Sequence, residues 1–161
     1  YKIKGSFGHP VPVVDGKTQS SGAKASAIVL KKEFTDVKDL LCIDYTSAYS
    51  TPSLDKLVRT FVYDRQGKGS FTVGDEFTAN APIRFETAIT TQANWKIIDD
   101  THLLLTTGTE QMTVTIEASG KVAFTSETIE VNSPAYTRIG ISLKEQSKDG
   151  YIRLTMRTKQ L

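Results

Sequence analysis

The feature that most constrains this chain is a period-two alternation of apolar and polar residues, repeated in short runs along nearly its whole length. Leu57, Arg59, Phe61 and Tyr63, and again Phe71, Val73, Asp75 and Phe77, fall on every second position. Side chains alternate across a strand in that rhythm, whereas an amphipathic helix needs apolar residues three and four apart. No window of a dozen residues carries such a helical stripe, so the chain reads as all-β. Strands are expected over residues 11–14, 23–31, 38–45, 56–63, 70–77, 83–90, 102–106, 111–118, 122–131, 138–144 and 151–158. The segments between them hold turn-formers: Gln66-Gly67-Lys68-Gly69, Asn80-Ala81-Pro82, Asp99-Asp100, Ser119-Gly120 and Asp149-Gly150. About ten short strands at this spacing predict a two-sheet antiparallel β-sandwich rather than a solenoid. The 161 residues, 39% of them hydrophobic, suffice for one compact core, so residues 1–161 are expected to form a single domain.

Charge and hydropathy narrow the partners. Twenty basic and eighteen acidic residues give a net charge of +2 and are mixed along the chain without a basic block, which calls for neither nucleic acid nor an anionic membrane. No apolar run approaches the roughly 20 residues that a spanning helix needs. Cys42 is the single cysteine. It lies in the apolar run Leu40-Leu41-Cys42-Ile43, where a buried, inert thiol is expected, and it leaves the redox compartment open.

One hairpin can be set in register from the sequence, because each of its two apolar faces is interrupted by one charge. With the turn centred on Gly67, Tyr63 opposes Phe71, Phe61 opposes Val73, Arg59 opposes Asp75 and Leu57 opposes Phe77. Directly facing side chains lie about 5 Å apart, so Arg59 and Asp75 are expected to form a structural ion pair across the strands.

Catalytic constellations are sparse. His9 and His102 are the only histidines. Neither accompanies a Gly-x-Ser-x-Gly elbow, and neither His-x-His nor His-x-x-x-His spacing occurs, so a hydrolase triad and a zinc site built within this chain are both disfavoured. Asp99-Asp100 reads as a solvated turn rather than a glycosidase pair. Two groups invite a binding role. Trp95, beside Gln92, Asn94 and Lys96, has the composition of a sugar-stacking platform, although a tryptophan at a strand end is more often a core plug. Tyr45 and Tyr49 offer phenols to a cleft, the alternative being that Tyr49 packs beneath a loop with its hydroxyl on backbone.

The order of motifs resembles a known family. Gly8-His9-x-Val11-x-Val13-Val14-Asp15-Gly16-x-x-Gln19, then Asp44-Tyr45-Thr46-x-Ala48-Tyr49, then Arg59-Thr60-Phe61, then Val73-x-Asp75-Glu76-Phe77 is similar to the β-sandwich of heparinase II/III-like polysaccharide lyases. The family's run is His-Asn-x-Val-x-Val-Asp-Gly-x-x-Gln, then Asp-Leu-Thr-x-Ala-Tyr, then an Arg-bearing strand and a strand ending Asp-x-Phe. His9 is followed by Pro10 where the family commonly has Asn. The resemblance runs from about Gly5 to Pro82 and implies a parent enzyme in which an N-terminal helical toroid, absent here, packs on the sandwich. An acidic polysaccharide would be cleaved between them by β-elimination. The acid and base would come mainly from the toroid and from sandwich segments upstream, leaving this chain noncatalytic, with no catalytic residue of its own. By the same resemblance His9 is one ligand of a structural zinc in the parent, the remaining histidine and aspartate lying upstream, and no cofactor is expected for this chain alone. The first sandwich strands are then also expected upstream, which would expose a sheet edge and invite dimerisation by edge pairing. A periplasmic or secreted location follows from the family. The alternatives are a stand-alone carbohydrate-binding module, using Trp95 and exposed tyrosines, and a structural or adhesive surface domain.

Overall fold

The computed structural model describes residues 5–129 and 135–159. Twelve strands carry the described chain: β1 (Val13–Val14), β2 (Ile28–Phe34), β3 (Lys38–Asp44), β4 (Leu54–Asp64), β5 (Ser70–Ile83), β6 (Phe85–Thr91), β7 (Asn94–Asp99), β8 (His102–Thr107), β9 (Glu110–Ala118), β10 (Val122–Ile129), β11 (Tyr136–Leu143) and β12 (Ser147–Lys159). Single 3-10 turns occupy Ser6–Gly8 and Thr46–Ala48. Four strands in the order β1-β6-β11-β10 form one sheet, and eight in the order β2-β3-β4-β5-β12-β9-β8-β7 form the other. All pairings are antiparallel. The chain is thus an all-β sandwich.

Alternation builds the core. In β5 the residues Asp75, Phe77 and Ala79 are buried while Glu76, Thr78 and Asn80 are exposed, and in β12 Ile152 and Leu154 are buried between exposed Tyr151 and Arg153. These inward residues meet Phe85, Ile139 and Ile141 of the smaller sheet, all at most 1% exposed. Phe77 and Phe85 stack across the layers with ring centroids 4.6 Å apart. The chain changes sheets between them at Pro82-Ile83-Arg84, where proline interrupts the donor ladder.

The β4–β5 register is Tyr63 opposite Phe71, Phe61 opposite Val73, Arg59 opposite Asp75 and Leu57 opposite Phe77. The connecting turn uses two glycines at positive φ, Gly67 at 59° and Gly69 at 73°.

Several strand expectations need correction. The expected 23–31 strand lies at Ile28–Phe34, and all seven of its residues are exposed, so no buried face marks its limits. Strand β7 is not among the expected strands, and Trp95 is its second residue. Residues 11 and 12 stay outside the ladder, which holds only Val13 and Val14, because prolines at 10 and 12 have no N–H to give. Residues 130 and 131 of the expected 122–131 strand lie outside the described residues.

Candidate functional site: a buried arginine–aspartate centre under an N-terminal strap

Asp75 is 1% exposed and stands at the middle of β5 on the inward face. A buried carboxylate is tolerable only when its lone pairs are filled, and here four donors fill them. Arg59 Nε and the Tyr45 hydroxyl donate to Oδ1, each at 2.7 Å. Arg59 Nη2, at 2.8 Å, and the Thr87 hydroxyl, at 2.7 Å, donate to Oδ2. The arginine fork therefore grips both oxygens, the arrangement that gives charge-assisted bonds their strength. Thr87 comes from β6, so the centre joins the two sheets.

The remaining guanidinium nitrogen points at the chain's N-terminal segment. Arg59 Nη1 donates to the Pro10 carbonyl at 2.7 Å. Tyr49 donates its hydroxyl to the Pro12 carbonyl at 2.8 Å, and Tyr136 of β11 donates to the Gly8 carbonyl at 2.8 Å. Phe7 lies on the Arg138 guanidinium, 4.4 Å from ring centroid to Cζ. Residues Phe7 to Pro12 thus form a strap held by side chains, the mode left to a segment whose prolines cannot donate to a ladder.

Electrostatics match this closed geometry. Burial raises the Tyr45 phenol pKa far above its ordinary value, and the adjacent Asp75 carboxylate raises it further. Tyr49 is shifted the same way by burial and then by Asp75. Burial opposes the charge on Arg59, but Asp75 outweighs it and the net shift is upward. Tyr45 and Tyr49, at 4% and 6% exposure, present no ring face to solvent. As a chemical unit the centre is a structural clamp: its carboxylate is saturated with donors and its phenol is held protonated.

The other sequence-derived candidates lie apart from it. His9 is exposed beside a hollow of about 330 Å³ shared with Gly8, Thr90, Thr91, Gln92 and Tyr136. That surround offers no second imidazole, thiolate or carboxylate, and a zinc site needs several, so the described residues do not fit zinc at His9. Among the described residues no group of three or more His, Cys, Asp or Glu is placed to hold a metal. Trp95 is half-buried in β7, packed on the core and opposite Leu105. His102 bonds through Nδ1 to Asp99 Oδ1 at 3.0 Å in the β7–β8 turn, where the Thr101 hydroxyl, the Thr101 N–H and His102 pull the Asp99 pKa down to about 2.

Sequence reading missed four members of the site, among them Tyr136, which anchors Gly8. Thr87 leaves a faint signal, a hydroxyl among the inward residues Phe85 and Ile89. Arg138, 2% exposed, donates Nη1 to Glu86 at 2.6 Å. Gly140 makes this possible, since a Cβ there would lie 2.5 Å from Thr125 Oγ1 and 2.8 Å from the Glu86 carboxylate.

No protein-family profile matches the chain, and no curated protein matches it in sequence. Solved structures do match its fold. A heparinase III superposes with a TM-score of 0.73 over 95% of this chain at 16% identity, covering 24% of that protein. Heparan sulfate lyase HepC from Pedobacter heparinus gives a TM-score of 0.73 over 95% of this chain at 13% identity, again covering 24% of its length. The chain therefore spans about a quarter of the proteins it resembles, and what it shares with them is the fold of one β-sandwich portion.

Proposed function

We propose that this chain is the C-terminal β-sandwich of a heparinase II/III-like polysaccharide lyase, noncatalytic by itself and supporting the substrate cleft of its parent. One observation carries the reading: 95% of the chain superposes on 24% of heparinase III. In the parent, a base removes the C5 proton of a uronate, the C4–O bond breaks as the C4–C5 double bond forms, and an acid protonates the departing oxygen. This chain contributes a rigid wall to that cleft, and the saturated Asp75 centre is consistent with rigidity rather than proton transfer. The parent's toroid, a zinc held partly by His9 with ligands from outside the described residues, and a periplasmic or secreted location belong to the same proposal.

The test compares the chain with its full-length parent on a panel of acidic glycans, following the ultraviolet absorbance of unsaturated uronate. Turnover by the parent alone is the expected result. Turnover by the isolated chain, or an inert parent on every glycan, overturns the proposal. The carbohydrate-binding alternative draws support from two exposed tyrosines, Tyr63 at 45% and Tyr151 at 39%.

A further inference from the structure

The outward face of the eight-stranded sheet has one missing tooth. The registers align Val58, Glu76 and Tyr151 in one row, Thr60, Gly74 and Arg153 in the next, and Val62, Thr72 and Thr155 in a third. Gly74 has no side chain, so the centre of this grid is a gap that only the Arg153 side chain crosses. The result is a hollow of about 490 Å³ rimmed by Thr60, Val62, Thr72, Glu76, Tyr151 and Arg153. Its volume falls within the roughly 300–1,000 Å³ of small-molecule sites.

Each wall has a distinct chemistry. Tyr151 is 39% exposed, with the Arg153 guanidinium 5.8 Å from its ring centroid at one side and the rest of the ring open to a stacking partner. Thr60 and Thr72 bring hydroxyls, and Glu76 a carboxylate that makes no hydrogen bond or ion pair to a described residue. Arg153 crosses the gap, its Cγ and Nε each 3.7 Å from where a Gly74 Cβ would be, and binds Glu117 at 3.0 Å. Glu117, outside the hollow, neutralises Arg153, so the Glu76 carboxylate leaves the hollow with an excess negative charge, which disfavours sulfate or uronate. A ring with an apolar face and many neutral hydroxyls suits all the walls at once.

We infer that the Gly74 hollow is a binding subsite for a neutral pyranose ring, stacked on Tyr151 with its hydroxyls on Glu76, Arg153 and Thr60. This subsite is separate from the strap and from any elimination chemistry. It does not depend on the chain belonging to a lyase.

The test is amide chemical-shift mapping of the 161-residue chain titrated with cellohexaose, N-acetylchitohexaose and a heparin-type hexasaccharide. Shifts at Gly74, Glu76, Tyr151 and Arg153 are expected with a neutral oligosaccharide, at least about tenfold weaker with the acidic one. Tyr151→Ala should weaken binding about two- to tenfold, the scale of a lost ring contact. Gly74→Val should abolish it by filling the hollow. Gly74→Ala, whose methyl makes only ordinary contact with Arg153, shows that the strand tolerates substitution. No shift with either neutral glycan at millimolar concentration, shifts that map around Trp95 instead, or tighter binding of the acidic glycan overturns the inference. Because elimination by the parent is assayed separately, either proposal can fail while the other stands.

Discussion

Removing the Arg59 side chain isolates the energetic role of the buried centre. In Arg59→Met, Asp75 keeps only the Tyr45 and Thr87 hydroxyls, two neutral donors where four bonds had included a bidentate cation. The carboxylate is 1% exposed and cannot recover its loss from water. Breaking one side of such a pair costs about 3–5 kcal/mol. For a domain of this size each kcal/mol shifts the unfolding midpoint by about 2–4 °C, giving a drop on the order of 6–20 °C. Asp75→Leu strands the guanidinium instead and should cost a similar amount. The double variant Arg59→Met/Asp75→Leu buries no charge, so its loss should fall short of the sum of the singles by about 2–3 kcal/mol. Urea denaturation of all four proteins measures this coupling. Additivity of the two single losses within about 0.5 kcal/mol would refute the claim that the two residues act as one unit.

Three further outcomes follow from the geometry. In alkaline spectrophotometric titration, Tyr45 and Tyr49 should stay protonated while the fold persists and ionise only on unfolding; their raised pKa values contribute stability that is complete below the ordinary phenol pKa of about 10 and lost as pH rises above it. An early, reversible titration of all the tyrosines would exclude their burial. Gly140→Ala should push Glu86 off Arg138 and cost about 1–3 kcal/mol in urea melts, with Thr125→Ala in the same chain recovering part of it; no loss would mean the sheet opens freely there. Asp99 should titrate near pH 2 by carbon NMR and move up toward ordinary aspartate in Thr101→Ala, the depressed value being a contribution present above about pH 4 and lost as pH falls through 2. An unmoved midpoint would remove Thr101 as its main cause.

The β4–β5 hairpin was legible because one charge on each face marks the register as clearly as a bulge would. Strand β2 was misplaced for the opposite reason. Its residues run Ile28-Val29-Leu30-Lys31-Lys32-Glu33-Phe34, apolar then charged, and exposure on both faces leaves no alternation to read. Strand β7 escaped notice because Ile97-Ile98 blurs the alternation within only six residues. At the site, Arg59 and Asp75 could be paired on paper, as two interruptions of facing apolar stripes. The strap could not, since its anchors are carbonyls of Gly8, Pro10 and Pro12, groups that every residue carries and no sequence distinguishes. Tyr136 reaches Gly8 across 128 residues of chain, and Arg59 reaches Pro10 across 49. Such long separations have no local pattern.

The strap also bears on the mechanics of the sandwich. Layers that touch through apolar side chains alone can slide with little directional resistance, because dispersion contacts re-form after a small displacement. Here one short segment is fastened to Arg59 in the larger sheet and to Tyr136 in the smaller one. Displacing the layers by a single strand spacing, about 4.8 Å, would carry one of these bonds past the roughly 3.5 Å at which it ceases to exist. The segment works as a key between two plates, adding its bonds to the Thr87–Asp75 bond that already ties them and so resisting shear that apolar contacts alone would permit.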